Sequence, residues 1–309
     1  MALWSEYLKP DVISRLAAVG LFSNRVVDGT ISGLHKSPLQ GLSPEFTDYR
    51  EYTFGDDLKN LDWRAYARSD RFYIKRFEEE SNLRAWIILD SSASMNYGRS
   101  GIRKFDYAAT LAASLAAVLI RQRDSVGLTI ATAEGRSELR PSAIRSQLAK
   151  IIDVLESVKV AGKTDLGAVL SETTDRMKRR GMVLIISDLF TPLDSLYEAL
   201  GRLQYSGHEI VMFHVLDRDE IELPFEDAVM FRDIEGDEEI FANPRAFRKA
   251  YHAAVEQFLE EVESRCMFCG IEYLRLLTDD DLGETLARKF HERTLRGPAR
   301  HVGRMSGKS

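Results

Sequence analysis

The chain has 309 residues, 44% hydrophobic and 29% charged, the make-up of a globular protein with ample length to bury a core. Its net charge of −6 gives no support to nucleic-acid or membrane binding as the main activity. No apolar run approaches the ~20 residues that span a bilayer, and the start, Met1 to Glu6, lacks the basic and apolar regions of a signal peptide, so a cytoplasmic protein is expected.

Residues 1–84 are rich in charge and aromatics and hold few long apolar runs. The spacing predicts a helix from Val12 to Val19, and Phe72 to Phe77 alternates like a half-exposed strand. The segment is too polar for a core of its own, so it is expected to wrap onto the following domain as an N-terminal extension. Within it, Arg50, Asp56, Asp57, Asp62, Arg64 and Arg68 read either as a charge network around Trp63 as packing anchor or as a partner surface. Lys59, Arg64, Arg68, Arg71, Lys75 and Arg76 also form a local basic run, but acidic residues interrupt it, which argues against an RNA contact.

From Ala85 onward strands and helices alternate. Ala85 to Asp90 is an apolar run without period-two alternation, the pattern of a strand buried on both faces, and it ends in Asp90-x-Ser92-x-Ser94. Lys104 to Arg121 carries Tyr107, Leu111, Leu115, Val118 and Leu119 at helical spacing. Ser125 to Ala131 is the second strand, and Ser137 to Arg140, stopped by Pro141, a short edge strand. Helices follow over Ile144 to Leu155 and Leu166 to Arg179, then a second fully apolar strand, Met182 to Asp188. Leu193 to Leu203 is helical, His208 to Asp217 a strand, Ile271 to Leu277 the last strand, and a final helix runs through Lys289. The expected fold class is α/β, a doubly wound, mostly parallel sheet over residues 85–295, with 296–309 as a flexible tail. Near 222–243 the alternation breaks into a β-hairpin insertion, after which Asn243-Pro244 opens a long helix.

The two cysteines, Cys266 and Cys269, end that long helix, with Gly270 placed as its cap. A zinc site would need four ligands, and a redox pair would sit at a helix N-terminus, so two reduced thiols on one helix face are expected.

Ligands of open α/β sheets sit beyond the carboxyl ends of the strands, where Asp90, Ser92, Ser94 and Asp188 fall. Thr164 lies in the loop Gly162 to Gly167 ahead of a helix and brings another hydroxyl. Hard oxygen donors of low total charge suit Mg²⁺ or Mn²⁺. Each residue also has a local explanation: an Asp-Ser turn at Asp90, a helix cap at Thr164 or Asp165, a turn residue at Asp188.

Asp90-x-Ser92-x-Ser94, then Thr164, then Asp188, resembles the metal-ion-dependent adhesion site of von Willebrand factor A-type domains. Upstream, Glu45-Phe-Thr-Asp-Tyr-Arg50, Gly55-Asp-Asp57, Leu61-Asp-Trp-Arg64, Ala67-Arg68 and Phe77-Glu-Glu-Glu80 resemble domain-of-unknown-function family 58, typically encoded near MoxR-type AAA+ ATPases. The resemblance implies a von Willebrand factor A-like, Rossmann-like fold and a site in which Ser92, Ser94 and, in some members, Thr164 ligate the metal. Asp90 and Asp188 would act largely through water, and an open position would take a carboxylate from a partner. The implied role is a non-catalytic, metal-dependent interaction adaptor, with a MoxR-type AAA+ ATPase and an acidic-residue-bearing client as partners. The alternative is a phosphoryl-transfer or hydrolytic metal-dependent enzyme using Asp90. No P-loop, dinucleotide fingerprint or GxSxG elbow occurs, and His214, inside an apolar strand, reads as a satisfied core residue.

Overall fold

Apolar strands flanked by apolar helix faces must stack in layers to leave water, and the computed structural model shows that arrangement. It describes residues 6–18, 45–51, 66, 72–78, 83–99, 101–236 and 238–296. The chain divides into two units, residues 1–22 with 83–309, and residues 23–82. In the smaller unit β1 (Glu45–Glu51) pairs antiparallel with β2 (Tyr73–Glu78), with a register irregularity between Phe46 and Asp48. The rings of Tyr66 and Phe72 stack at 4.3 Å.

The larger unit begins with α1 (Pro10–Ala18) and then runs β3 (Arg84–Asp90), α2 (Lys104–Arg121), β4 (Ser125–Thr132), β5 (Gly135–Ser142), α3 (Ser146–Ser157) and α4 (Leu166–Arg176). It continues with β6 (Met182–Ser187), α5 (Leu193–Tyr205), β7 (Glu209–Leu216), the short α6 (Arg218–Glu222), β8 (Val229–Arg232), β9 (Glu239–Ala242), α7 (Pro244–Phe268), β10 (Glu272–Leu277) and α8 (Leu282–Arg296). The fold is α/β. Its main sheet has the order β10-β7-β6-β3-β4-β5, parallel throughout except for β5 at the edge. The edge strand is longer than the sequence reading, starting at Gly135 rather than Ser137, and it pairs with β4 as a hairpin. Pro141 is accommodated there because its ring packs on Gly127, where a Cβ would come within 2.9 Å of it.

One layer of core lies between the sheet and α1, α2, α3 and α8, and the other between the sheet and α4, α5 and α7. Helix α2 occupies the bounds expected from its periodicity. Its small residues, including Ala108, Ala109, Ala112, Ala113 and Ala116, are fully buried, so it is enclosed nearly all round. Part of that cover comes from α1, whose Val12 and Leu16 belong to the same core.

From β3 the chain proceeds through α2 to β4 on one side, whereas β6 leads to β7 on the other. The neighbouring carboxyl ends of β3 and β6 therefore form the topological switch point where such sheets bind ligands.

Leu16 is 0% exposed, so a Leu16→Ala variant is expected to lose about 3 kcal/mol of unfolding free energy. Urea denaturation checks this; a loss under about 1 kcal/mol would show that α1 is dispensable to the core.

Candidate functional site

Asp90 ends β3 and faces Ser187, the last residue of β6, because Leu89 pairs with Ile186. Its Oδ2 accepts the Ser187 hydroxyl at 2.7 Å and its Oδ1 accepts the Ser92 backbone N–H at 2.9 Å. Burial, then the neighbouring Asp188 charge, push its carboxyl up to about 6 against the pull of those hydrogen bonds. A 3-10 turn over Ala93–Asn96 brings the hydroxyls of Ser92 and Ser94 within 3.0 Å of each other.

Thr164 reaches the same edge through its loop. The Ala93 N–H donates to the Gly162 carbonyl at 2.8 Å, and the Ala161 N–H donates to that of Ser91 at 3.1 Å. Thr191 on the loop after β6 donates its hydroxyl to the Thr164 carbonyl at 3.3 Å. Thr164 itself is buried, and its hydroxyl has no hydrogen-bond partner among the described residues. Helix α4 is capped by its neighbour Asp165, which accepts the Ala168 N–H at 3.0 Å.

Asp188 is 4% exposed and follows β6. Leu189 after it takes the left-handed conformation, φ 58°, which costs a bulky residue about 1–2 kcal/mol and bends the chain sharply. The turn lets Asp188 Oδ1 accept the Phe190 N–H at 3.1 Å. The Oδ2 atom accepts from the Lys104 ammonium at 2.7 Å.

Lys104 was not among the expected site residues. It opens α2, where a cation opposes the helix dipole, and it is 1% exposed. Its ammonium also donates to Glu220 Oε1 at 2.5 Å. Burial alone would lower its pKa, but Asp188 and Glu220 outweigh burial and hold it above the ordinary lysine range. Glu220 is aimed by a capping box at α6: its Oε2 accepts the Asp217 N–H at 2.9 Å while the Asp217 carboxylate accepts from Asp219. The spacing Asp217-x-x-Glu220 was the available sequence signal for α6, and a lysine at a helix start was the signal for Lys104.

His214 supports Asp188 from β7. Burial pushes its pKa down to about 4, so the ring is neutral at pH 7. A carbonyl can only accept, so Nε2 carries the proton and donates to the Asp188 carbonyl at 2.9 Å, while Nδ1 accepts the Tyr273 hydroxyl at 2.6 Å. Both nitrogens are occupied, and the residue is structural.

Asp90, Ser92, Ser94, Thr164 and Asp188 thus all lie at the carboxyl end of β3 and β6. Their donors are hard oxygens, one of them orphaned, which is a fit for Mg²⁺ or Mn²⁺. Among the described residues no three His, Cys, Asp or Glu side chains are grouped to hold a metal ion, so a cation here would depend on the hydroxyls. Of the N-terminal charged set, Arg50 lies on β1. Asp56, Asp57, Asp62, Trp63, Arg64 and Arg68 lie outside the described residues, as do 297–309.

A family model described as "Protein of unknown function DUF58" matches residues 48–260. The chain belongs to this family. It is 26% identical over 276 residues to "Uncharacterized protein Mb1516" of Mycobacterium bovis, across 88% of this chain and 86% of the relative. "Uncharacterized protein Rv1480" of Mycobacterium tuberculosis matches with the same figures. Among solved structures, conserved hypothetical protein BatB from Bacteroides thetaiotaomicron is 17% identical with a TM-score of 0.44, covering 68% of this chain and 100% of that one.

Other features lie away from the site. A cavity of about 550 Å³ between α1, α2 and the β10–α8 turn is lined by Asp106, Asp279, Asp280 and Asp281, whose carboxylates are paired with Arg103, Arg218 and Arg15. Cys266 and Cys269 are both free; Cys266 is buried in α7, which pushes its thiol up to about 12. Gly270 follows with φ 65°, the left-handed residue that closes the helix. No helix among the described residues is long and apolar enough to cross a membrane.

Removing the Lys104 charge leaves the buried Asp188 unpaired and Glu220 without its cation. A Lys104→Met variant is therefore expected to lose about 3–5 kcal/mol at pH 7. Chemical denaturation measures it, and a loss below about 1 kcal/mol would mean that the pair does not organise the site.

Proposed function

We propose that the chain is a von Willebrand factor A-like, metal-dependent adaptor rather than an enzyme. In this reading Ser92, Ser94 and Thr164 hold Mg²⁺ or Mn²⁺, with Asp90 and Asp188 orienting the ligands and balancing charge. The bound cation supplies an open position that accepts a carboxylate from a partner protein. The single observation that carries the reading is the Thr164 hydroxyl. It is buried without a partner on a loop whose backbone is pinned to Ser91 and Ala93, the segment that carries the paired Ser92 and Ser94 hydroxyls. An orphaned buried hydroxyl costs about 1–3 kcal/mol, which a ligand would offset.

Asp90 is better placed to orient than to attack, since both of its oxygens accept hydrogen bonds and it is 1% exposed. That weighs against the phosphoryl-transfer or hydrolytic alternative. The partners follow from the family resemblance: a MoxR-type AAA+ ATPase and an acidic client, in assembly, maturation or stress response, inside the cytoplasm.

Thr164→Val separates binding from folding. Loss of an unpaired buried hydroxyl should leave stability unchanged or raise it, while Mg²⁺ affinity measured by calorimetry should fall about tenfold or more. The complex with the ATPase should weaken to the same degree in this variant and in EDTA. Unaltered Mg²⁺ affinity in both Thr164→Val and Ser92→Ala would refute the cation site. A complex indifferent to EDTA would refute the metal bridge, and no complex under any condition would remove the ATPase.

A further inference from the structure

The cavity of about 550 Å³ between α1, α2 and the turn from β10 to α8 has the size of a small-molecule site. Among the described residues its walls carry six carboxylates and a single ammonium group, that of Lys9. Some of the acids serve the fold. Asp106 accepts from Arg103 at 2.7 and 2.8 Å, and Asp281 caps α8 by accepting the Glu284 N–H at 2.7 Å. Glu6 and Asp11 make no ion pair among the described residues, and Asp280 has only Arg218, at 3.6 Å. The arginines paired with the cavity's acids are themselves about half exposed, so those pairs offset little of the repulsion among six like charges.

A second observation is independent of charge. Tyr107 lines the same cavity and is 5% exposed, yet its hydroxyl has no hydrogen-bond partner among the described residues. A buried phenol normally finds one. Tyr7, also on the cavity wall, does so by donating to Asp106 Oδ1 at 3.3 Å. Carboxylates can only accept, and a phenol oxygen accepts as well, so the missing partner is a donor that carries positive charge. No three acidic side chains among the described residues are grouped to hold a metal ion. The acids stand instead on separate walls: Asp11 on α1, Asp106 on α2, and Asp279 to Asp281 on the β10–α8 turn. That spread matches several separated charges better than one.

We propose that this cavity binds a linear polyamine, an alkyl chain carrying two or more ammonium groups. Its N–H groups donate to Asp280, to Asp11 and to the Tyr107 hydroxyl oxygen. Its methylenes lie against the rings of Tyr7 and Tyr107, whose faces also attract cations. The site is separate from the one at the ends of β3 and β6 and does not depend on the cation reading given there. Because its walls belong to α1, α2 and the turn into α8, the bound chain ties α1 to the larger unit.

The test is calorimetry of the full chain with spermidine at about 150 mM salt, where loose surface attraction is screened. Binding should saturate at one spermidine per chain. It should weaken about tenfold in Tyr107→Phe and in Asp280→Asn. It should be unchanged in Glu256→Gln, which removes the same charge from an exposed position of α7. Without spermidine, Tyr107→Phe should be at least as stable as the unmodified protein, because the lost hydroxyl had no partner. Absence of saturable binding would overturn the proposal, and so would an affinity in Tyr107→Phe and Asp280→Asn equal to that of Glu256→Gln. A lysine amide acetylated at its α-nitrogen, with one ammonium group, should bind at least about tenfold more weakly than spermidine. Equal binding would assign the cavity to a protein's lysine side chain and overturn the polyamine.

Discussion

Burying an ammonium group at the start of a helix, against the helix dipole, costs several kcal/mol unless its partners are fixed in advance. Lys104 meets that condition through Asp188 at 2.7 Å and Glu220 at 2.5 Å, and each partner is held by other contacts. Asp188 sits in a turn set by the left-handed Leu189 and by the His214 bond to its carbonyl. Glu220 is oriented by the capping box of α6. The ion pair therefore ties α2, the end of β6, β7 and α6 together at the switch point of the sheet. Its geometry is a condition for every other group there.

The remaining charge is only partly balanced. Asp90 is neutralised by no cation of the chain within ion-pair distance among the described residues, and its raised carboxyl reflects burial together with the Asp188 charge. Its two hydrogen bonds come from neutral donors, Ser187 and the Ser92 backbone. Hydroxyls of Ser92, Ser94 and Thr164 line the same edge without supplying positive charge. In the proposed reading a cation completes the site, and its exchangeable ligand is a carboxylate. That property suits recognition of a protein surface better than turnover of a small substrate.

Much of this was legible in the sequence because burial and periodicity are local signals. The runs Ala85 to Leu89 and Met182 to Ile186 have no polar face, so they read as strands buried on both faces, and the pairing of β3 with β6, which the sequence allows without dictating, brings the carboxylates after them to one edge. The bounds of α2, Lys104 to Arg121, were readable from its apolar spacing. Glu45 to Glu51 does not read as a strand, because it is dominated by charge and its pairing with β2 is a nonlocal choice. Lys104 reads as an ordinary helix residue, since nothing local distinguishes a lysine aimed at solvent from one aimed at a carboxylate 84 positions away.

The central claim is that a divalent cation belongs among the hydroxyls and carboxylates at the ends of β3 and β6. Crystals of the full chain soaked in Mn²⁺ would locate such an ion directly by its anomalous scattering. One peak is expected within coordination distance of the Ser92 and Ser94 hydroxyls, with Thr164, Asp90 and Asp188 around it. Density only in the acidic cavity beside Asp279, Asp280 and Asp281, or none at all at saturating Mn²⁺, would contradict it.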